Sequence, residues 1–242
     1  MLEQMERCHV ASREFDERAI INAAAANYCR PRLKNPITIS PGCLAKFGRR
    51  QHIESAYDEG VLLIRPGSSF NDPSLNRAQA DKELEHLTIT PNKHLMFKLH
   101  GLDAAGKEVE MPARPVEFIR YNMVPDFYVW CCALGYDARL FSEFHADAVL
   151  IIKNREAFRE RLSAAVRGKL PEGQMKHGPI GYYDPYTVRY EELVPIFRKN
   201  FRFLYQNEYR FAWTLPVERD DLTQFSVELG PLHDIAEFHE LT

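Results

Sequence analysis

The chain has 242 residues, long enough for one large domain or two small ones with an ample core. Hydrophobic residues make up 45% and charged residues 27%, the balance of a soluble globular protein. The net charge of −3 supplies no basic footprint and so argues against tight duplex-DNA binding, leaving only local patches at Arg30, Arg32 and Lys34 and at Arg155, Arg159 and Arg161.

In chain order, Ser12 is placed to cap a helix running to Tyr28, with Ala23–Ala26 a strong helix former and Arg30-Pro31 its stop. Pro36 and Pro41-Gly42 bracket a short strand at Ile37–Ile39. Residues 1–42 thus form an N-terminal helical extension, and residues 43–242 a single α+β domain. Cys43–Gly48 is a strand, followed by a short helix with Ile53, Ala56 and Tyr57 on one side and Gly60 as its stop. Val61–Ile64 is a continuous apolar run, hence a buried strand, closed by Arg65-Pro66-Gly67.

Asp72 before Pro73 is a helix-start signal for a helix running to about Leu87. Asp72 can therefore be a cap, a functional group or both. Residues 88–121 suit a β meander, with a strand at Val116–Tyr121 and a turn over Gly101–Gly106. Phe127–Leu134 is a central strand, Asp137–His145 a short helix and Ala148–Ile152 a buried strand. Asn154 caps a helix over Arg155–Arg167 that Gly168 ends. Residues 168–188, rich in Gly, Pro and Tyr, are expected to form a long loop. Glu191–Phe197 is a short helix, and strands at Thr223–Leu229 and His233–Phe238 finish the chain.

Phe201–Trp213 carries the most information. With a strand's two-residue period, Phe201, Phe203, Tyr205, Asn207, Tyr209, Phe211 and Trp213 share one almost wholly aromatic face. Arg202, Gln206, Glu208 and Arg210 share the other. A carboxylate fixed on a rigid strand can stabilise positive charge developing in a bound substrate. The same spacing also suits a solvated face with an Arg/Glu ladder.

Cys8, Cys29, Cys43, Cys131 and Cys132 form no CxxC pair, which suits buried or free thiols in a reducing compartment. The histidines form no HExxH and no Cys/His group at zinc spacing, so no metal is expected. No GxGxxG, P-loop or GxSxG motif is present, which disfavours a Rossmann, P-loop or α/β-hydrolase protein. Without an apolar leader or a run approaching 18 apolar residues, the expected location is cytoplasmic, with no membrane partner.

Three segments resemble a bacterial and phage family of unknown function. They are Leu44–Arg49 leading to Phe70-Asn71-Asp72-Pro73, the Val129–Leu134 strand with Leu140–Phe144, and Lys199 through Tyr205-Gln206-Asn207-Glu208-Tyr209-Arg210. The family carries an FNDP turn and a Tyr-x-x-Glu-Tyr/Trp-Arg strand, and the likeness spans roughly residues 43–238. Here Phe141 and Phe144 stand where Trp and Tyr are usual, and Phe47-Gly48 where Tyr-Arg is usual.

That layout in turn resembles the ADP-ribosyltransferase fold, a mixed or antiparallel split β-sheet flanked by helices, with Gln206-Asn207-Glu208 matching its Gln/Glu-x-Glu strand. The resemblance implies an NAD-dependent transferase or NAD glycohydrolase acting in phage–host conflict, with NAD as substrate and a protein or nucleic acid as acceptor. Glu208 would stabilise the oxocarbenium-like transition state, Gln206 would select the acceptor and Ser142 would support the ribose. Lys46, Arg49, Arg65, Asn71, Asp72 and Arg210 would line the cofactor site. Two alternatives stand beside it: a non-catalytic binding protein on the same scaffold, and a metal-independent nuclease using His145, His177 or Glu208, with Lys176-His177-Gly178 and Tyr182-Tyr183 nearby.

Overall fold

A computed structural model describes residues 33–35, 37, 40–90, 99–111, 118–188, 195–219 and 221–242. The expected helix at Ser12–Tyr28 and most of the segments Ile37–Ile39 and Glu191–Phe197 lie outside them. At the end of the extension, Leu33 bridges to Leu241 and Lys34 pairs with Glu240.

The architecture is α+β, built on a large antiparallel sheet with few helices. β1 (Leu44–Gly48) leads into α1 (Arg50–Asp58), whose Ile53 and Ala56 are buried. Gly60, at φ +73°, turns the chain into β2 (Val61–Pro66). β7 (Tyr128–Leu134) is the hub of the sheet. Along one edge it pairs with the whole length of β12 (Glu208–Thr214), except that Leu134 and Thr214 stay outside the register. Its other edge is shared. β1 takes Ala133 and Leu134, whereas β2 takes Tyr128 and Val129. The sheet therefore forks at Trp130–Cys132. One arm continues through β8 (Ala148–Ile152) to β14 (Ala236–Glu240), and the other through β2 to β13 (Phe225–Glu228).

α3 (Arg155–Lys169) covers one face of the sheet, packing Phe158, Leu162 and Val166 with Trp130, Phe211 and Trp213. Trp130, Phe158 and Phe211 are in mutual ring contact, with centroids 5.1–5.9 Å apart. On the opposite face, α2 (Arg139–Glu143) packs Leu140 and Phe141 over Ala45, Phe47 and Val149. Among the described residues, no helix is long and apolar enough to cross a membrane.

Asn154 accepts the Ala157 N–H at the start of α3, as its position in the sequence implies, while the helix runs through Gly168 to Lys169. Asn154→Ala should lower stability by about 1 kcal/mol, measured by urea denaturation with an unchanged m-value.

Three expectations are corrected. The expected helix from Asp72 to Leu87 is a series of turns followed by β3 (Glu85–Thr90). Asp72 accepts the Ser74 N–H and Asn76 those of Ala78 and Gln79, so side chains compete with the backbone for the donors a helix needs. β3 pairs with β6 (Phe118–Met123), and β4 (Leu99–Leu102) with β5 (Glu108–Met111). The expected loop at 168–188 instead contains β9 (Gln174–Pro179), paired along β12, and β10 (Gly181–Tyr183).

The third correction concerns the strand expected from Phe201 to Trp213. Phe201–Gln206 is a 3₁₀ helix that follows β11 (Arg198–Asn200), which pairs with β10. Asn207 at φ +41° makes the turn, and only from Glu208 is the chain a strand. Asparagine tolerates this left-handed conformation better than most residues.

Candidate active site

β12 buries Tyr209, Phe211 and Trp213 against α3 and places Glu208 and Arg210 on the other face. Arg210 is 0% exposed and Glu208 6%. Arg210 donates through Nε to Glu208 Oε1 at 2.9 Å and through Nη1 to the Ile196 carbonyl at 2.8 Å. Its Nη2 lies 2.8 Å from Glu83 Oε2.

The second cation is Lys199, on β11. Its ammonium meets Glu208 Oε2 at 2.9 Å, Asp81 Oδ2 at 3.3 Å and Glu83 Oε1 at 3.5 Å. Three carboxylates thus share the three donors of one ammonium. Lys199 is committed, with no proton left for a ligand. The Tyr182 hydroxyl accepts the Glu208 backbone N–H at 2.8 Å.

Burial alone would raise the Glu208 carboxyl, but Arg210 and then Lys199 outweigh it and hold it far below the ordinary carboxylate range. Burial would depress Lys199, and Glu208, Glu83 and Asp81 together reverse that, so its ammonium stays charged. Asp81 goes the other way. Burial, opposed by Lys199 and reinforced by Glu83, pushes it up to about 6. Three carboxylates against two cations leave one negative charge over, and Asp81 is the carboxyl that titrates.

Because the folded-state value of Asp81 lies above its ordinary 3.8, the folded state binds the extra proton between that value and about 6. Stability should therefore fall as pH rises through this window, by roughly 2–3 kcal/mol. Glu208 works in the opposite sense only below its ordinary 4.5. Denaturation midpoints of wild type and Asp81→Asn between pH 4.5 and 7 check this: the variant should lose the slope.

A cleft of about 240 Å³ opens beside the network. Asp81, Glu83, His86 and Lys199 lie at its inner part; Tyr121 and Tyr183 add aromatic surface, and Arg198 and Arg202 basic groups. Among the described residues, no group of three or more His, Cys, Asp or Glu is placed to hold a metal ion.

The residues singled out by sequence are dispersed. Glu208 and Arg210 are in direct contact, but Gln206 points elsewhere and donates to the Ala78 carbonyl at 2.7 Å, fastening the 72–84 turns to the 3₁₀ helix. Ser142 is exposed on α2 and is not among the partners of Glu208. Lys46 sits at the fork, donating to the Cys131 carbonyl at 2.6 Å with its ammonium 5.1 Å from the Trp130 ring. Arg49 is exposed and pairs with Asp147 at 3.7 Å. Arg65 lies over the Phe70 ring, while Asn71 and Asp72 are exposed in the turn that follows. His177 is hydrogen-bonded to the Tyr209 hydroxyl at 2.7 Å on the α3 side of the sheet.

Asp81, Glu83 and His86 escaped the sequence reading, and Lys199 entered it only as the first residue of the third segment, without a role. Asp81 and Glu83 are two apart, a spacing that puts both on one side of an extended chain but not of a helix. The expected helix through this segment concealed that relation. Comparison with family models, curated proteins and solved structures finds no match.

Proposed function

We propose that this chain binds a nucleotide of the NAD class in the cleft and breaks the bond between nicotinamide and ribose, passing ADP-ribose to an acceptor or to water. The observation that carries this reading is an ionised carboxylate network, rooted in Glu208, that opens into a cleft bearing Arg198 and Arg202. Breaking a bond to a cationic leaving group calls mainly for orientation and stabilisation of positive charge on the ribose. Glu208, with a cation on each oxygen, acts as a positioning residue. It fixes Lys199, and Lys199 fixes Asp81, the carboxylate that reaches the cleft with its side chain 12% exposed. Asp81 then faces the oxocarbenium-like ribose, and Arg198 and Arg202 take the pyrophosphate.

Turnover of labelled NAD, with cell lysate as the acceptor pool, tests this in wild type, Asp81→Asn and Glu208→Gln. The proposal expects wild-type release of nicotinamide that rises with pH through about 6 and falls at least a hundredfold in Asp81→Asn. Binding without turnover would favour a non-catalytic binding protein, the reading supported by the full engagement of both Glu208 oxygens. Neither binding nor turnover would exclude both.

A further inference from the structure

The cleft is polar in a directional sense. At its inner part stand acceptors, at its basic side donors. His86 is 4% exposed and lines the cleft, yet its Nε2 takes no hydrogen bond from the protein. The backbone carbonyl of Glu83 acts on the ring as an acceptor, and because Nε2 is without a partner the arrangement favours the proton on Nδ1 and a lone pair on Nε2. Burial keeps this imidazole neutral. A buried acceptor without a partner is unfavourable, and a donor supplied by a ligand relieves it. Asp81 is the second acceptor in the same cleft; Lys199 engages it through Oδ2 and has no spare proton for His86. Arg198 and Arg202 have the opposite character. Arg202 is exposed, and it pairs with Asp81 at the long distance of 4.0 Å.

We infer that the cleft orients its ligand with a neutral N–H donor, a carboxamide or an exocyclic ring amine, directed at His86 Nε2 and Asp81, and with an anionic phosphate held by Arg198 and Arg202. A ligand carrying a carboxylate in place of the N–H donor meets a lone pair and a carboxylate, and is rejected. Tyr121 and Tyr183 supply flanking surface for a flat ring. This inference rests on the nucleotide reading above and adds to it which end enters first.

The test is binding by calorimetry at pH 7.5, with four probes and no turnover: nicotinamide mononucleotide, nicotinic acid mononucleotide, AMP and ribose 5-phosphate. The two nicotinic probes differ only in amide against carboxylate. The amide should bind at least about tenfold more tightly than the acid, the effect of one buried polar group left unpaired or repelled. It should also exceed ribose 5-phosphate by a similar factor. Tight binding of AMP instead would assign the inner subsite to an exocyclic amine. His86→Phe should shrink the preference, leaving the part that Asp81 supplies, while Arg202→Ala weakens all four probes alike.

Equal affinity for the amide and the acid in wild type, or no binding of any probe, would overturn the inference, and neither result depends on a variant that folds. The outcomes separate the two proposals. NAD turnover without amide preference removes the orientation and leaves the function. Amide preference without turnover does the reverse.

Discussion

Arg210→Met should cost about 3–5 kcal/mol of folding stability, one of the two largest effects expected of a single substitution in this protein. The side chain is 0% exposed and joins four groups: Glu208, Glu83, the Ile196 carbonyl and, through the carboxylates, Lys199. Removing it leaves Asp81, Glu83 and Glu208 to share one ammonium in a site that is largely buried. The excess of negative charge rises from one to two, and the Ile196 carbonyl loses its donor. The substitution itself is tolerable in shape, because methionine is apolar and flexible enough to occupy the space of the arginine stem.

The cost therefore lies in the uncompensated charges, and this can be measured. Glu83→Gln combined with Arg210→Met should be less destabilised than the sum of the two single variants by at least about 1 kcal/mol, since the second change removes a charge the first exposed. Urea denaturation of all four proteins gives the coupling. Additive effects would show that Arg210 acts through packing alone.

Gly60→Ala should be comparably harmful for a different reason. A Cβ at this position would lie 2.1 Å from the Gly230 carbonyl oxygen and 2.8 Å from the Gly230 nitrogen, both backbone atoms with nowhere to move cheaply. Gly60 also holds φ +73°, and its carbonyl accepts the Leu229 N–H at 3.0 Å. Conformational strain alone accounts for about 1–2 kcal/mol. Separating the two segments adds the loss of that hydrogen bond and disturbs the start of β2 and the end of β13, so a total of about 3 kcal/mol or more is expected. Gly230→Ala is the control. Gly230 has the same φ of +73° but open space where its Cβ would go, so only the strain applies. Thermal melts should show the Gly60 variant losing at least twice as much as the Gly230 variant. Equal losses would mean that the close approach carries no weight.

The sequence was most legible where one periodicity and one boundary signal agreed. β1, β7, β8 and α3 were each bounded by Gly, Asn or turn residues around a strong apolar pattern, and each formed close to its expected limits. The run from Phe201 misled because aromatic residues at every second position resemble a strand. Its burial has a period of three: Phe203 and Gln206 are buried while Phe201 and Leu204 stand exposed. That is the i, i+3 alignment of a 3₁₀ helix. β9 was hidden by Pro179 and by exposure on its free side, both ordinary for an edge strand. In the candidate site, Glu208 and Arg210 were legible because they are neighbours on one strand face. Glu83 and Lys199 were not, since their meeting joins positions 116 residues apart and leaves no local trace.

The fork in the sheet gives the fold two mechanically unequal arms. Each arm joins β7 through two register pairs, but in the β2–β13 arm these are Arg65 with Val129 and Pro66 with Tyr128, and Pro66 has no N–H to contribute. The β8–β14 arm hangs on β1, which is paired with β8 along all five of its residues. Backbone amides of β13 should consequently exchange with solvent deuterium together and ahead of those in β8, marking a unit that detaches at low free energy while the rest of the sheet stays closed.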